Sequence, residues 1–261
     1  MLDLVSTVAD TAAYSRLTAS AQVWFAGGER VGYDAGADSD KPKDYAYSTA
    51  ERTDLLEAIW RDISVRSTTL VAFDFSSLVV LEHLRRRLER SERGEPVGGP
   101  DIRGVFIFNG GLFTDGHSHP WYTTPILRRL PSRARQRVGR SFTLFKMMVG
   151  AMWSKGHQVT DAEVRELHGV LDDGLFYLAA AAGFVADHKA QGDRLDFGRL
   201  FRVYRDRFPF LVGGSSEDAF GHRQVDLAHE RLRKFGLTTN EQPEALAALI
   251  AKFERGFTRT P

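Results

Sequence analysis

The sequence predicts an α/β protein whose central sheet is mostly parallel and flanked by helices. Three observations carry this. Short apolar runs at 68–73, 104–108 and 208–212 read as buried strands. Helical patterns separate them, and strands separated by helices need crossover connections, hence parallel pairing. The first run enters its helix through a cramped turn at Asp74, with small residues two positions away on either side, Ala72 and Ser76.

In chain order, 22–25 and 30–33 flank Ala26-Gly27-Gly28-Glu29, a β-hairpin pattern with glycines for the turn torsions. Ser48-Thr49-Ala50-Glu51 has capping-box spacing, and Leu55, Leu56, Ile59 and Trp60 then share one helix face. After the strand at 68–73, Leu78, Leu81, Leu84 and Leu88 form a buried helical stripe, with Glu82 and Arg85, Arg86 and Arg87 expected on the wet side. A Gly/Pro loop at 92–100 leads to the strand at 104–108, which ends in Asn109-Gly110-Gly111. The strand at 208–212 ends in Gly213-Gly214, and 245–253 reads as a closing helix.

The long stretch 122–207 is mostly helical. Phe142, Phe145, Met148, Val149 and Met152 mark one buried face. Thr160-Asp161-Ala162-Glu163 is a second capping box, followed by Val164, Leu167 and Leu171. Both ends of the stretch return to sheet strands, so it reads as an insertion above the sheet. The arginines of 132–140 read as a solvated surface.

Composition bounds the function. At 261 residues, 43% hydrophobic and 26% charged, the chain suits one large soluble domain with room for an inserted unit. A net charge of +1 argues against electrostatic binding of nucleic acid. The absence of cysteine excludes disulfides and thiolate chemistry. The first residues lack a signal-peptide pattern, and no apolar run reaches membrane-spanning length. A cytoplasmic location is therefore expected. Partners are expected to be a small-molecule substrate, with no nucleic acid and no membrane, and a homodimer is an open option.

The spacing around Asp74, small-x-Asp-x-small, is that of a nucleophile elbow. Strand and helix cross almost in contact at such a turn, and the central side chain is pushed out of the sheet's end. A carboxylate there can attack an electrophilic carbon and form an ester. The alternative is an ordinary strand-to-helix connection with Asp74 as a helix cap.

The elbow, FNGGLF at 108–113 and SDKPKDYAYS at 39–48 together resemble the α/β-hydrolase superfamily. Its closest branch comprises the haloalkane dehalogenases, epoxide hydrolases and mesoderm-specific transcript-like proteins. WFAGGERVGYD at 24–34 resembles the last subgroup. So does TTNEQPEALAALIAKF at 238–253, read as the closing helix and its preceding loop. The resemblance implies an α/β-hydrolase core at 1–121 and 208–261, with a helical cap at 122–207. It implies Asp74 as nucleophile, with Phe73 and Phe75 beside the substrate, although Phe73 stands where this branch commonly has a histidine. It implies Asp218, rather than Glu217, as the acid that orients a base, although Asp218 also suits a helix N-cap. Asp115 is the alternative acid. Asn109 is a candidate substrate contact, or simply a cap for the strand-end turn.

Two departures stand out. Relatives carry a His-Gly turn that helps form the oxyanion hole, within roughly fifty residues, far more than a loop. Here 33–38 runs directly into Ser39-Asp40-Lys41-Pro42. Relatives also place a histidine just before the segment matching 238–253, and here Lys234-Phe235-Gly236-Leu237 holds none, nor a strand before it. Both junctions are expected to lack a core strand, as if segments were omitted there. Among the eight histidines, His222 and His229 share a helical face with Asp218 and Asp226, and His117 and His119 lie beside Asp115. Neither set has a sharp metal-ligand motif, so no metal and no cofactor is expected.

Two classes of function follow. One is a hydrolase with an Asp nucleophile acting on a small apolar electrophile such as a haloalkane, epoxide or ester. The other is a catalytically inactive hydrolase-like binding or structural protein. A nucleotide-binding reading lacks a glycine-rich phosphate loop, since Gly110-Gly111 and Gly213-Gly214 are too short.

Overall fold

The computed structural model describes residues 48–62, 64–74, 76–116, 131, 134, 141–150, 160–170, 188–214 and 222–240. Helix α1 (Thr49–Asp62) begins where Ser48 Oγ accepts the Glu51 N–H at 3.2 Å, the serine half of the expected box. Strand β1 (Ser67–Phe73), helix α2 (Ser76–Glu92) and strand β2 (Asp101–Phe108) follow. Helices α3 (Phe142–Gly150) and α4 (Asp161–Val170) come next, the latter opened by a complete capping box. The Thr160 N–H donates to Glu163 Oε2 at 2.8 Å, and the Glu163 N–H donates to Thr160 Oγ1 at 3.3 Å. Helix α5 (Phe197–Tyr204), strand β3 (Phe210–Gly213), helix α6 (His222–Leu232) and strand β4 (Thr238–Asn240) complete the described chain.

The four strands form one sheet in the order β1-β2-β3-β4, every pair parallel. Alternation along the strands sorts side chains to two faces. Leu70, Ala72, Val105, Ile107, Phe210 and Val212 meet the stripes of α2, α5 and α6 in the main core. Val71, Phe73, Phe106, Phe108 and Leu211 cluster on the opposite face. The expected α2 stripe is confirmed, with Leu78, Leu81, Leu84 and Leu88 all buried. The last part of the 122–207 stretch joins this core. Leu195, Phe197, Leu200, Phe201 and Tyr204 pack into it, and the Tyr204 hydroxyl donates to the Leu84 carbonyl at 3.1 Å. Among the described residues no helix is long and apolar enough to cross a membrane.

Strand limits differ from expectation. β2 begins at Asp101 rather than at 104, because exposed Asp101 and Arg103 alternate with buried Ile102 at its start. A larger correction concerns the C-terminal junction. Thr238-Thr239-Asn240, expected in a loop, is itself the fourth strand, with Leu211, Val212 and Gly213 opposite it in register. The backbone through 234–238 is unbroken. The Gly236 N–H donates to Arg233 O at 2.9 Å and the Leu237 N–H to Leu232 O at 3.3 Å, and left-handed Gly236 (φ 90) turns the chain into the sheet. The β-branched threonines form the strand that pairs with β3 there. The junction at 34–39, the early hairpin and the closing helix lie outside the described residues.

The wet side assigned to α2 is corrected too. Glu82 and Arg85 are buried. Helix α1 packs across that side, and a charge network replaces water. Arg85 grips Glu82 with two bonds of 2.7 Å, and Arg86 reaches Glu82 Oε1 at 2.8 Å, Asp54 Oδ1 at 2.6 Å and the Ala50 carbonyl at 2.9 Å. Glu57 of α1 accepts from His83 Nδ1 at 2.9 Å and from Arg90 at 3.2 Å. His83 is fully buried edge-on to Trp60, and its Nε2 has no partner among the described residues.

Partial burial works against an ionised Glu57. The His83 and Arg90 interactions outweigh it and hold the carboxyl at about 2, below its ordinary 4.5. Burial lowers the pKa of His83 below its ordinary 6.5, against the pull of Glu57. The depressed Glu57 contributes stability that is full above pH 4.5 and is lost as pH falls towards 2. The ring of His83, buried neutral, loses its contribution as pH falls through 6.5 and below. Both losses act in acid. Glu57→Ala is expected to cost about 2 kcal/mol at neutral pH and to flatten the acid decline. Urea titrations across this pH range check it, and superimposable profiles for the two proteins would refute it.

Candidate active site

The strands stop in register. Phe73, Phe108, Gly213 and Asn240 form one row across the sheet, so Asp74, Asn109 and Gly214 come next, side by side at its carboxyl rim. In open parallel sheets this rim is where ligands bind. The ladder continues one step beyond the row: the Asp74 N–H donates to Phe108 O at 3.2 Å, and the Asn109 N–H to Gly213 O at 3.0 Å. Asp74 (φ 50) and Asn109 (φ 46) both lie in the left-handed region, where non-glycine residues are uncommon and Asp and Asn are tolerated best.

The turn from β1 into α2 is tight. Ala72 is fully buried below the turn, and α2 starts two residues after Asp74. Ser76 closes the turn: its Oγ accepts the Phe73 N–H at 2.6 Å and donates to the Phe73 carbonyl. Ser77 N–H and Oγ both donate to the Asp74 carbonyl, at 3.1 and 2.6 Å. Asp74 is half-buried at the rim. Phe73 stacks on Phe108 with centroids 5.7 Å apart, on the face away from α2.

The loop after β2 packs against the elbow. A Cβ on Gly110 would stand 2.5 Å from Ile107 Cγ2 and 2.7 Å from Ser77 Cβ, and the Gly111 N–H donates to Ser77 Oγ at 3.0 Å. At Gly214 a Cβ would meet Val225 Cγ2 at 2.4 Å and Asn109 Oδ1 at 3.0 Å, so the rim closes over glycine. Asn109 thus turns its side-chain oxygen towards Gly214, as the strand-end cap reading allows.

Asp115 goes elsewhere. It sits in the 3-10 turn Thr114–Gly116 and forms a two-pronged ion pair with Arg231 in the last turn of α6, with one bond of 3.1 Å. The Arg231 hydrogen bond outweighs slight desolvation and lowers the Asp115 pKa. The carboxylate is exposed and held by α6. A cavity of about 270 Å³ adjoins it, lined in part by Leu112, Phe113, His188, Asp196 and Arg231, and Asp74 does not line it. Asp218 and Phe75 lie outside the described residues. Among the described residues no group of three or more acids and histidines could hold a metal ion. His229, from the predicted His/Asp helix face, pairs its Nδ1 with Thr239 Oγ1 at 2.9 Å.

Sequence reasoning passed over Ser77, Gly110 and Gln224, which hold the rim together. The glycine pair after β2 was a usable signal for Gly110. Nothing local marks Gln224.

Solved structures resemble this arrangement. An α/β-hydrolase enzyme from a Medee basin deep-sea metagenome library is 13% identical with a TM-score of 0.57, covering 84% of this chain and 74% of its own. A mutant of the haloalkane dehalogenase DatA from Agrobacterium tumefaciens is 17% identical with a TM-score of 0.57, covering 84% and 76%. A hydrolase from Oleispira antarctica is 11% identical with a TM-score of 0.51, covering 85% and 76%. No family model matches the chain, and no curated protein does. The chain has the α/β-hydrolase fold.

Two substitutions test the rim. Asp74→Gly should raise stability by about 1 kcal/mol by relieving left-handed strain, read as a higher urea midpoint. Gly110→Ala should lower it by about 2 kcal/mol through overpacking against Ser77 and Ile107. A destabilised Asp74→Gly would show that the turn stores no strain.

Proposed function

We propose that the chain is a hydrolase with Asp74 as nucleophile, acting on a small apolar electrophile such as a haloalkane, epoxide or ester. The observation that supports this best is the left-handed Asp74 held at the carboxyl rim between β1 and α2. A nucleophile elbow presents its side chain this way. The likeness to a haloalkane dehalogenase supports the choice of electrophile. An Asp74 carboxylate oxygen attacks the alkyl carbon, a haloalkane's halide or an ester's carboxylate leaves with the bonding electrons, or an epoxide opens to an alkoxide that takes a proton from water, and an alkyl ester forms. Water then attacks the ester carbonyl and releases an alcohol, with Asp218 proposed to orient the base. In this reading Asn109 and Phe73 border the substrate. Part of the 122–207 stretch, including the α3 and α4 pair, serves as the cap.

A second reading is a hydrolase-like binding protein without turnover. It is favoured by one observation: the last histidine of the sequence, His229, precedes β4, so none follows the final described strand. Without a base the ester is expected to persist.

Intact-mass spectrometry with 1-bromohexane tests both. The hydrolase reading expects one hexyl group to replace one proton on Asp74, with bromide released. Asp74→Asn should lose the adduct completely. Continued bromide release beyond one equivalent marks turnover, and a single equivalent marks a stalled ester. No adduct and no bromide release would leave the binding reading.

A further inference from the structure

We propose that Ser77 and Gln224 are positioning residues for Asp74, acting through the loop that follows β2; this rests on the reading of Asp74 as nucleophile. Ser77 Oγ donates its one proton to the Asp74 carbonyl at 2.6 Å and accepts the Gly111 N–H at 3.0 Å. One hydroxyl satisfies both partners in a single orientation. Ser77 is fully buried, so water does not replace either bond. The loop is pressed against it at Gly110, where no Cβ fits.

The next two residues of that loop are held from the other side. Gln224 on α6 is 1% exposed. Its Oε1 accepts the Leu112 N–H at 3.1 Å and the Phe113 N–H at 2.8 Å, and its Nε2 donates to the Phe113 carbonyl at 2.9 Å. Gly110-Gly111-Leu112-Phe113 is therefore clamped between α2 and α6, and the Asp74 carbonyl is tied to the clamp. The direction of that carbonyl fixes the plane of the peptide leaving Asp74, because the peptide group is rigid. In an elbow the central residue is the nucleophile, so the clamp aims Asp74.

The test compares Ser77→Ala, Gln224→Ala, Gln224→Glu and the Ser77→Ala/Gln224→Ala double variant in the full chain. Carbon-13 NMR follows the titration of the Asp74 carboxyl, and amide exchange follows Gly111, Leu112 and Phe113. Mass spectrometry follows the rate of hexyl ester formation from 1-bromohexane. Ser77→Ala is expected to move the Asp74 titration and to slow alkylation about tenfold at saturation, with the half-saturating concentration unchanged. Gln224→Ala should act in the same direction. The double variant should be no slower than the worse single variant within about twofold, since both act through one loop. Gln224→Glu keeps both accepting bonds and, when protonated, donates to the Phe113 carbonyl in place of Nε2, so it should recover most of the Gln224→Ala loss at low pH and lose that recovery as the buried acid ionises. It also carries the test if an alanine variant does not fold. An unmoved Asp74 titration in both single variants, or fully additive effects, would overturn the proposal. Failure of 1-bromohexane to alkylate the unmodified protein would overturn the nucleophile reading alone, and the titration and exchange data would still decide on the clamp.

Discussion

The rim of this sheet depends on strands that end in register and on the absence of side-chain bulk where they end. Phe73, Phe108, Gly213 and Asn240 stop together, so the residues after them share one edge. That edge can hold a left-handed Asp74 only if α2 starts almost at once and its first turn can approach β2. Gly110 makes the approach possible, since a Cβ there would stand 2.5 Å from Ile107 Cγ2 and 2.7 Å from Ser77 Cβ, and Gly214 lets α6 come equally close, where a Cβ would stand 2.4 Å from Val225 Cγ2. Those distances are shorter than real side chains tolerate, so these positions are dictated by packing and not by local preference. The conformation of Asp74 inherits its geometry from this packing, because a strained turn persists only where its surroundings over-determine it.

The helix that carries the elbow is fixed by an unusual partner surface. Where an apolar interface would serve, α1 and α2 bury Glu82, Arg85 and His83 and link them to Asp54, Glu57, Glu89 and Arg90. Burying charges costs several kcal/mol each unless they are paired with good geometry. Here the Arg85 guanidinium fork meets both oxygens of Glu82 within α2, so that cost is largely offset. A greasy α1–α2 contact could slide by a turn; the bonds that cross between the helices, Arg86 to Asp54 and His83 and Arg90 to Glu57, fix one register.

Much of the fold was legible. The runs at 68–73, 104–108 and 208–212 are apolar and short, and each holds a strand, although β3 begins at Phe210 rather than at 208. The elbow was legible for a similar reason: its steric demand is met within five consecutive residues. What was misread has physical causes. Glu82 and Arg85 looked solvated because charge at helical spacing carries no sign of the helix that covers it. β4 looked like a loop because three residues, two of them threonine, are too short for a periodic pattern. Ser77 meets Gly111 across 34 positions, and Gln224 meets Phe113 across 111. Contacts of that range leave no trace in local sequence, and they are the ones that set the site.

The weight of the proposed chemistry falls on its first half. Alkylation of a carboxylate needs only a positioned nucleophile, a bound electrophile and a leaving group, and Asp74 is proposed as the first of these. Hydrolysis of the ester needs a base that reaches water at the ester carbonyl. His229 is drawn away from that task. It lies on α6 and pairs with Thr239, which stands opposite Val212, one step below the rim row that contains Gly213. His83 is no substitute, since it is buried between α1 and α2 and paired with Glu57. On the proposed reading, bond formation at Asp74 is therefore better provided for by the described residues than bond release, and the balance between the two separates an enzyme from a protein that captures its ligand once.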